Sequence, residues 1–308
     1  MTERFESDWL ALRERFDHTA RSVALARRLA DALPARRPRL VDLGAGTGSL
    51  FRFMAPIIGR GHDWLLVDAD AALLDDAFGR TAAWARRLGF AATAQGDELL
   101  VSSRHGLWRM RAMQRDLSRA PTVSVEPVSR TPLPPAGGAY EARAAVFPEA
   151  DAVVCSALFD LVSAAWLGQL IDMLDVPFLA CLTVDGRDAW LPLHPVDAIV
   201  RAAFRRDQRR DKGFGPALGV AAPFATLRGL AARGFATVSA PSDWYIPRTA
   251  LRMQRALIEG TADAARNAAP ARNAAIAAWE AARLRQAMRG RLAIRVGHRD
   301  ILAMPQGG

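Results

Sequence analysis

The sequence lacks the features that mark several large classes of protein. It has only two cysteines among 308 residues, Cys155 and Cys181, and both fall in apolar runs typical of central strands. We therefore expect reduced core thiols, with no disulfide framework and no metal site. No apolar run reaches the length of a membrane span, and the first residues are too charged for a signal peptide. These absences predict a cytoplasmic protein without a metal and without a membrane partner.

Lysine is almost absent, since Lys212 stands alone beside forty arginines in a chain of net charge +9. The arginines are spread among acidic residues, and no basic block alternates with aromatics, so a nucleic-acid partner is not expected. A single lysine where arginine serves elsewhere suggests a need for a compact, titratable ammonium group. Lys212 would then bind an anionic part of a substrate or act as an acid or base. The alternative is that it survives by chance.

The most informative stretch that is present covers residues 39–48, which predict a strand, a glycine turn and the start of a helix. The run 40–43 is largely apolar and indicates a short buried parallel strand. Gly44, Gly46 and Gly48 follow, and glycines let a backbone turn tightly and approach a ligand. Such a unit opens βαβ nucleotide-binding folds. Dinucleotide enzymes prefer G-x-G-x-x-G, whereas the third glycine here comes one residue earlier.

An acid two residues before the first glycine completes a D-x-G-x-G-x-G pattern made by Asp42, Gly44, Gly46 and Gly48. This pattern resembles motif I of the class I S-adenosylmethionine-dependent methyltransferases. The resemblance implies that the turn, including Ala45, accommodates the methionine end of S-adenosylmethionine. It also implies that Asp42 suits the ammonium group of that cofactor.

A second acid, Asp68, ends the next predicted strand, 64–68, twenty residues after Gly48. A carboxylate at such a strand end can accept hydrogen bonds from both ribose hydroxyls. The resemblance assigns this role to Asp68, with Ala69 beside it. Asp70 is either the N-cap of the following helix or part of the adenosine pocket.

Two further strand ends complete the expected cofactor site. Asp116 and Leu117 end the third strand and resemble the motif that meets the adenine, although a surface aspartate is a fair competitor. Cys155 and Ser156 end the fourth strand and should face the methyl-transfer site, because ligands of open α/β sheets bind beyond the carboxyl ends of strands. The segment 155–160 lacks the prolines of enzymes that methylate adenine or glutamine amino groups, which argues against those substrates.

The candidate catalytic residues lie beyond strand ends or in loops: Asp160, His194, Asp211 and Lys212. Asp160 is equally well explained as a general base or as an acid favoured by a helix N-terminus. Trp9, Arg13, Asp17 and Arg21 could project toward the pocket from the leading helices, but ordinary core and solvated faces are the favoured interpretation. His298 is assigned to the last strand and not to a site.

The expected fold is α/β: a Rossmann-like, seven-stranded, mostly parallel sheet with helices on both faces and an antiparallel last strand. Residues 1–36 would form N-terminal helices covering the pocket, and 37–308 the S-adenosylmethionine-binding domain. Substrate-side insertions are expected near 90–113, 118–148 and 185–220.

The sequence therefore predicts methyl transfer from S-adenosylmethionine to a small, polar or anionic metabolite by in-line displacement. An RNA or protein methyltransferase, an NAD-dependent oxidoreductase and a non-catalytic S-adenosylmethionine-binding protein remain as alternatives. The oligomeric state and the identity of the acceptor are left open.

Overall fold

The computed structural model describes residues 7–118 and 150–306, in which helices and strands alternate as predicted. The helices are α1 (Ser7–Ala20), α2 (Val23–Ala32), α3 (Ser49–Ile58), α4 (Ala71–Arg87), α5 (Ala164–Met173), α6 (Asp197–Gln208), α7 (Ala222–Ala232), α8 (Leu251–Ala268) and α9 (Asn273–Met288). The strands are β1 (Arg39–Leu43), β2 (His62–Asp68), β3 (Ala91–Gln95), β4 (Glu98–Ser103), β5 (Gly106–Gln114), β6 (Ala152–Ser156), β7 (Phe178–Val184), β8 (Ala189–Leu191), β9 (Phe235–Pro241), β10 (Trp244–Ile246), β11 (Ala293–Val296) and β12 (His298–Pro305). The insertion predicted near 118–148 lies, beyond Ser118, outside the described residues, as do residues 1–6 of the leading helices.

Within residues 7–118 and 150–306, the central sheet has nine strands in the order β3-β4-β5-β2-β1-β6-β7-β12-β9. The five from β5 to β7 are parallel, and β12 is antiparallel to both of its neighbours. The α/β fold and the antiparallel last strand are therefore confirmed, but the expected count of seven strands is too low. The difference lies in the predicted insertion 90–113, where β3 and β4 form a hairpin and β4 pairs with β5 to extend the edge.

Each face of the central sheet packs against helices because the buried strands alternate their side chains between two cores. In β6, Val154 packs into the core on the α2, α3 and α4 side, and Val153 into the core on the α5 and α7 side. This arrangement leaves the carboxyl ends of β1, β2 and β6 at one edge of the sheet, where the predicted site residues collect. Among the described helices, none has both the length and the apolar character to cross a bilayer.

A second sheet, in the order β10-β11-β8, corrects two sequence predictions. The apolar pattern of the sequence predicts a sixth strand over residues 234–246 and a last strand over 291–303, but the structure divides each of them between the two sheets. The second division falls at Gly297, where an added Cβ would lie 2.5 Å from Asp185 Oδ1 and 2.6 Å from the carbonyl oxygen of Arg187. Only glycine lets the chain pass this close to the neighbouring loop, so the strand must bend there.

Residues 242–297 thus form an insertion between the paired strands β9 and β12, which we call the cap. The cap contains β10, α8, α9 and β11, and α8 packs against α6. A buried ion pair ties the cap to the rest of the chain: Arg283 of α9, with no exposed surface, donates to both carboxylate oxygens of Asp197 at 2.5 and 2.6 Å. The sequence predicts helices at about 248–260 and 270–289, which correspond to α8 and α9, but it does not give their position over the strand ends.

Candidate functional site

Two adjoining cavities lie at the carboxyl ends of the parallel strands. The larger, about 650 Å³, surrounds the glycine turn after β1, and we call it the glycine-turn cavity. The smaller, about 410 Å³, lies beneath the cap, and we call it the cap cavity. Arg13, Ala157 and Leu161 line both cavities. The two spaces therefore meet at the start of the segment that follows β6.

The glycine turn is held by hydrogen bonds within the protein. Gly44, Gly46 and Gly48 have φ values of +68°, +52° and +75°, a region that other residues rarely adopt. The amides of Gly44 and Ala45 donate to the Val67 carbonyl at 2.9 and 3.0 Å, and the Gly48 amide donates to the Ala45 carbonyl at 3.0 Å. The turn is therefore formed before any ligand binds.

Asp68 is positioned by the turn that it faces. Its Oδ2 accepts from the Gly46 amide at 2.8 Å and its Oδ1 from the Asp70 amide at 3.0 Å. Burial raises the pKa of Asp68, and these two backbone donors act to lower it. Each carboxylate oxygen keeps a further lone pair, so Asp68 can accept two more hydrogen bonds from a diol. Asp70 is the N-cap of α4, because its side chain accepts from the Ala72 amide, and it also lines the cavity; its contact with an adenosine stays a prediction.

Asp42 lies at the floor of the glycine-turn cavity as a buried acid, and neither of its carboxylate oxygens has a hydrogen-bond partner among the described residues. Burial raises the pKa of Asp42 to about 8, and the charge of Arg21 acts in the opposite direction. A buried carboxylate without donors is unfavourable. The site therefore suits a ligand that brings a positive charge to this point.

Arg21 lines the glycine-turn cavity, whereas the interpretation favoured from the sequence placed this residue, with Trp9, Arg13 and Asp17, in ordinary core or on a solvated face. The guanidinium is 4% exposed and donates to the hydroxyls of Ser49 and Ser156, each at 3.0 Å. It lies just after α1 and lines the glycine-turn cavity together with Arg13 and Asp17. A cation thus lies in the same cavity as Asp42. The helical spacing of α1 could not reveal this, because it does not say which face covers the strand ends.

The predicted adenine motif also lies at this cavity. Arg115, Asp116 and Leu117 line it just beyond β5. Asp116 Oδ1 accepts from the Ser118 amide at 2.9 Å, and the Leu117 carbonyl accepts from Trp166 Nε1 at 2.6 Å. Both contacts hold the end of the third parallel strand in place.

Two predicted cofactor residues do not line either cavity. Cys155 is buried within β6 between β1 and β7, because alternation turns its side chain into the core while Ser156 reaches the cavity. Burial also raises the pKa of its thiol. Gly48 begins α3, and an added Cβ there would meet Ala77 at 3.3 Å. Gly48 therefore lets the start of α3 pack closely against α4.

Two of the four candidate catalytic residues line a cavity and two do not. Asp160 and Lys212 line the cap cavity, and Lys212 Nζ lies 3.5 Å from Asp207 Oδ2. His194 and Asp211 line neither cavity. The His194 amide donates to Asp197 Oδ2 at the start of α6, and Asp211 Oδ1 accepts two amides of its own loop. Among the described residues, no group of three His, Cys, Asp or Glu side chains could hold a metal ion.

Apart from Trp9, which was considered as a residue that could project toward the pocket, the aromatic walls of the cap cavity were missed by sequence reasoning. They carry five aromatic side chains: Trp9, Trp190, Phe204, Trp244 and Trp279. His298 also lines the cavity, although it begins β12 as predicted, and burial lowers its pKa to about 3. These residues come from separate elements, so no spacing in the sequence connects them. The one available signal was the content of eight tryptophans in the chain.

No protein-family model matches the chain, and no curated protein matches it. Among solved structures, the chain is similar to a SAM-dependent methyltransferase from Thiobacillus denitrificans in complex with S-adenosyl-L-homocysteine. The identity is 14%, the match covers 99% of this chain and 100% of that one, and the TM-score is 0.41. The chain is also similar to a SAM-dependent methyltransferase from Geobacter sulfurreducens in complex with S-adenosyl-L-homocysteine. The identity is 14%, the match covers 99% of this chain and 100% of that one, and the TM-score is 0.42.

A third similar structure is the geranyl diphosphate C-methyltransferase from Streptomyces coelicolor A3(2), in complex with Mg²⁺, geranyl diphosphate and S-adenosyl-L-homocysteine. Its identity is 14%, the match covers 92% of this chain and 79% of that one, and the TM-score is 0.41. Sequence identities of 14% and TM-scores of 0.41 to 0.42 do not assign a family or an activity to this chain. The function proposed below rests on the geometry of the two cavities.

Proposed function

We propose that the protein is an S-adenosylmethionine-dependent methyltransferase that acts on a small molecule. The cofactor would occupy the glycine-turn cavity and the methyl acceptor the cap cavity. The observation that carries the proposal is a buried acid and a buried guanidinium that line one cavity at the glycine turn. Asp42 and Arg21 line one cavity and match the ammonium and the carboxylate of an amino-acid tail.

The rest of the glycine-turn cavity supports the same ligand. Asp68 keeps acceptor capacity for the two hydroxyls of a ribose. Asp116 and Leu117 are available near the third strand end for the adenine. The residues that would hold the cofactor therefore run from Asp42 and Arg21 through Asp68 to the end of β5, in the order of methionine, ribose and base.

A nicotinamide dinucleotide fits the same cavity poorly. Its pyrophosphate would require free backbone amides at the glycine turn. The amides of Gly44, Ala45, Gly46 and Gly48 already donate to protein oxygens. The pyrophosphate would also bring negative charge toward Asp42 and Asp68. These contacts disfavour the oxidoreductase alternative.

When bound, S-adenosylmethionine supplies a methyl group activated by the sulfonium charge. The chain then has to hold donor and acceptor in line and keep water away. The shared residues Arg13, Ala157 and Leu161 mark where the two ligands would meet. Asp160 and Lys212 line the acceptor side and are the candidates for holding or removing a proton of the nucleophile.

The cofactor assignment is tested by calorimetric titration with S-adenosylhomocysteine and, separately, with NAD⁺. We expect binding of the first and none of the second, and the reverse result would overturn the proposal. Catalysis is tested by incubation with isotopically labelled S-adenosylmethionine and a small-molecule extract. Mass spectrometry should then detect a product that has gained one methyl group. Binding without any such product would support a non-catalytic S-adenosylmethionine-binding protein.

A further inference from the structure

We propose that the cap cavity takes an uncharged, planar aromatic acceptor. This inference rests on the proposed function for the identity of the reaction, but its evidence comes from the cap cavity alone. It differs from the polar or anionic acceptor expected from the sequence.

The first line of evidence is the aromatic wall. Trp190 and Trp279 meet edge to face with ring centroids 5.2 Å apart, and Trp9 and Trp244 do so at 6.3 Å. All four rings line the cavity, and they come from β8, α9, α1 and β10. Aromatic rings prefer offset-stacked or edge-to-face neighbours. Such walls favour a planar ring as their ligand.

The second line of evidence is that these rings are fixed before a ligand arrives. Trp279 Nε1 donates to Asp197 Oδ1 at 2.7 Å, and Trp244 Nε1 donates to Asp17 Oδ1 at 3.0 Å. The buried guanidinium of Arg283 lies 5.7 and 5.8 Å from the ring centroids of Trp190 and Trp279. With these N–H groups already bonded, the rings offer the ligand mainly apolar faces. Preorganised walls also reduce the entropy lost on binding.

The third line of evidence is the charge balance of the walls. Asp188 is paired with Arg201 at 3.0 Å and with Arg205 at 3.6 Å. Asp207 lies 3.5 Å from Lys212, and Asp197 is paired with Arg283. A charged ligand would have to compete with these pairs and lose its own hydration, whereas an uncharged ligand would not.

The fourth line of evidence is open space along one face of α8. Helix α8 lines the cavity with small residues spaced by one helical turn, Ala256, Gly260 and Ala264. A Cβ built on Gly260, which is exposed, meets no atom of the described residues within 4 Å. A flat ligand therefore has room to lie against this face of α8.

The experiment uses three probes that share one ring system and differ in charge: 1-naphthol, 1-naphthoate and 1-naphthylmethylammonium. Each is titrated by calorimetry into the full chain at neutral pH with S-adenosylhomocysteine present. We expect 1-naphthol to bind at least about tenfold more tightly than either ion, because neither ion can replace its hydration in a charge-balanced wall. Preferred binding of either ion would overturn the proposal.

A matched pair of variants tests the location of the bound probe. Gly260→Phe fills the space in front of α8 and should weaken 1-naphthol binding at least about tenfold. Gly79→Phe makes the same change in α4, at a helical glycine that lines neither cavity and whose added Cβ also meets no described atom within 4 Å, and it should leave binding within about twofold of the parent. Equal binding by the two variants would overturn the assignment to this cavity. Circular dichroism checks that both remain folded.

The same titrations separate this inference from the proposed function. If S-adenosylhomocysteine binds and an ion is the preferred probe, the acceptor class is wrong while the cofactor proposal stands. If 1-naphthol binds in the predicted rank order without any affinity for S-adenosylhomocysteine, the cavity assignment is correct and the methyltransferase proposal is wrong.

Discussion

The two cavities are built in different ways. The glycine-turn cavity is shaped by backbone and by acids at strand ends, and Gly44, Gly46 and Asp68 lie within 25 residues of each other. The cap cavity is shaped by side chains from α1, α6, α8, α9 and both sheets. A site fixed by backbone turns is expected to hold one ligand across many variants, whereas a site made of side chains changes its ligand when a few residues change. Under the proposed function, we therefore expect variants of this protein to share one cofactor in the glycine-turn cavity and to differ in the acceptor that the cap cavity binds.

The largest expected effect is on the stability of the protein and comes from a substitution at a residue that supports the cap cavity alone. Arg283→Met removes the arginine of the cap that pairs with Asp197. The partly buried carboxylate of Asp197 then has no cation beside it. We expect a loss of about 3–5 kcal/mol in the free energy of unfolding. We also expect loss of 1-naphthol binding, since Trp190 and Trp279 lose their support. Denaturant titration and calorimetry measure the two quantities.

Arg285→Met is the matched control, because Arg285 is exposed on the same helix. It should change stability by about 0.5 kcal/mol or less. If Arg283→Met and Arg285→Met behave alike, the buried ion pair does not support the cap cavity.

The next effect concerns the glycine-turn cavity. Asp68→Ala removes the acceptor of the Gly46 amide and the two sites offered to a ribose. S-adenosylhomocysteine affinity should fall at least about a hundredfold, since hydrogen bonds to a charged group contribute roughly 1.5–3 kcal/mol each. Affinity for 1-naphthol should stay within about twofold.

Asp70→Asn serves as the control for Asp68→Ala, because asparagine caps a helix as well as aspartate does. It should keep most of the S-adenosylhomocysteine affinity. A loss as large as that of Asp68→Ala would mean that the helix start, and not the Asp68 carboxylate, governs cofactor binding.

The pH dependence of binding should also differ between the cavities. Asp42 has a pKa of about 8 in the ligand-free protein because of burial, so below that pH it must lose a proton to meet an ammonium group. The ionised fraction of a group with a pKa of about 8 rises from about 1% at pH 6 to about 50% at pH 8, so S-adenosylhomocysteine affinity should rise roughly fiftyfold, which corresponds to about 2.3 kcal/mol. Asp42→Asn should bind more weakly and show little change over this range.

The 1-naphthol affinity should stay constant between pH 6 and pH 8. His298 lines the cap cavity, and its pKa of about 3, lowered mainly by burial, keeps it neutral over this range. A parallel rise of both affinities with pH would show that Asp42 does not distinguish the two cavities.

The smallest effect is expected at His194, which was predicted from the sequence to be catalytic. Its amide and its Nδ1 take part in the turn before α6, and it lines neither cavity. His194→Ala should leave both affinities and methyl transfer within about twofold of the parent. A tenfold loss of turnover with unchanged binding would restore His194 as a catalytic candidate.

The sequence allowed prediction of what depends on neighbouring residues. Asp42, the glycine turn and Asp68 were found because strand, turn and strand end lie in fixed order along the chain. The prediction that Cys155 faces the cavity was wrong. Alternation along β6 turns Cys155 into the core and lets Ser156, at the end of the strand, reach the cavity, and this alternation can be read from the sequence. Trp244 and Trp279 could not be assigned, because only the folded cap brings them to Trp9 and Trp190.

The cap leaves the central sheet and returns to it at adjacent positions, since Pro241 of β9 lies opposite Arg299 of β12. Just beyond, Trp244 pairs with Val296, so the two connecting strands form a narrow neck. A short reverse turn could in principle join the two strands directly at this point. The cap is therefore an insertion that could be replaced as a whole at this neck. Under the proposed function, such an exchange would change the acceptor while the central sheet stays the same.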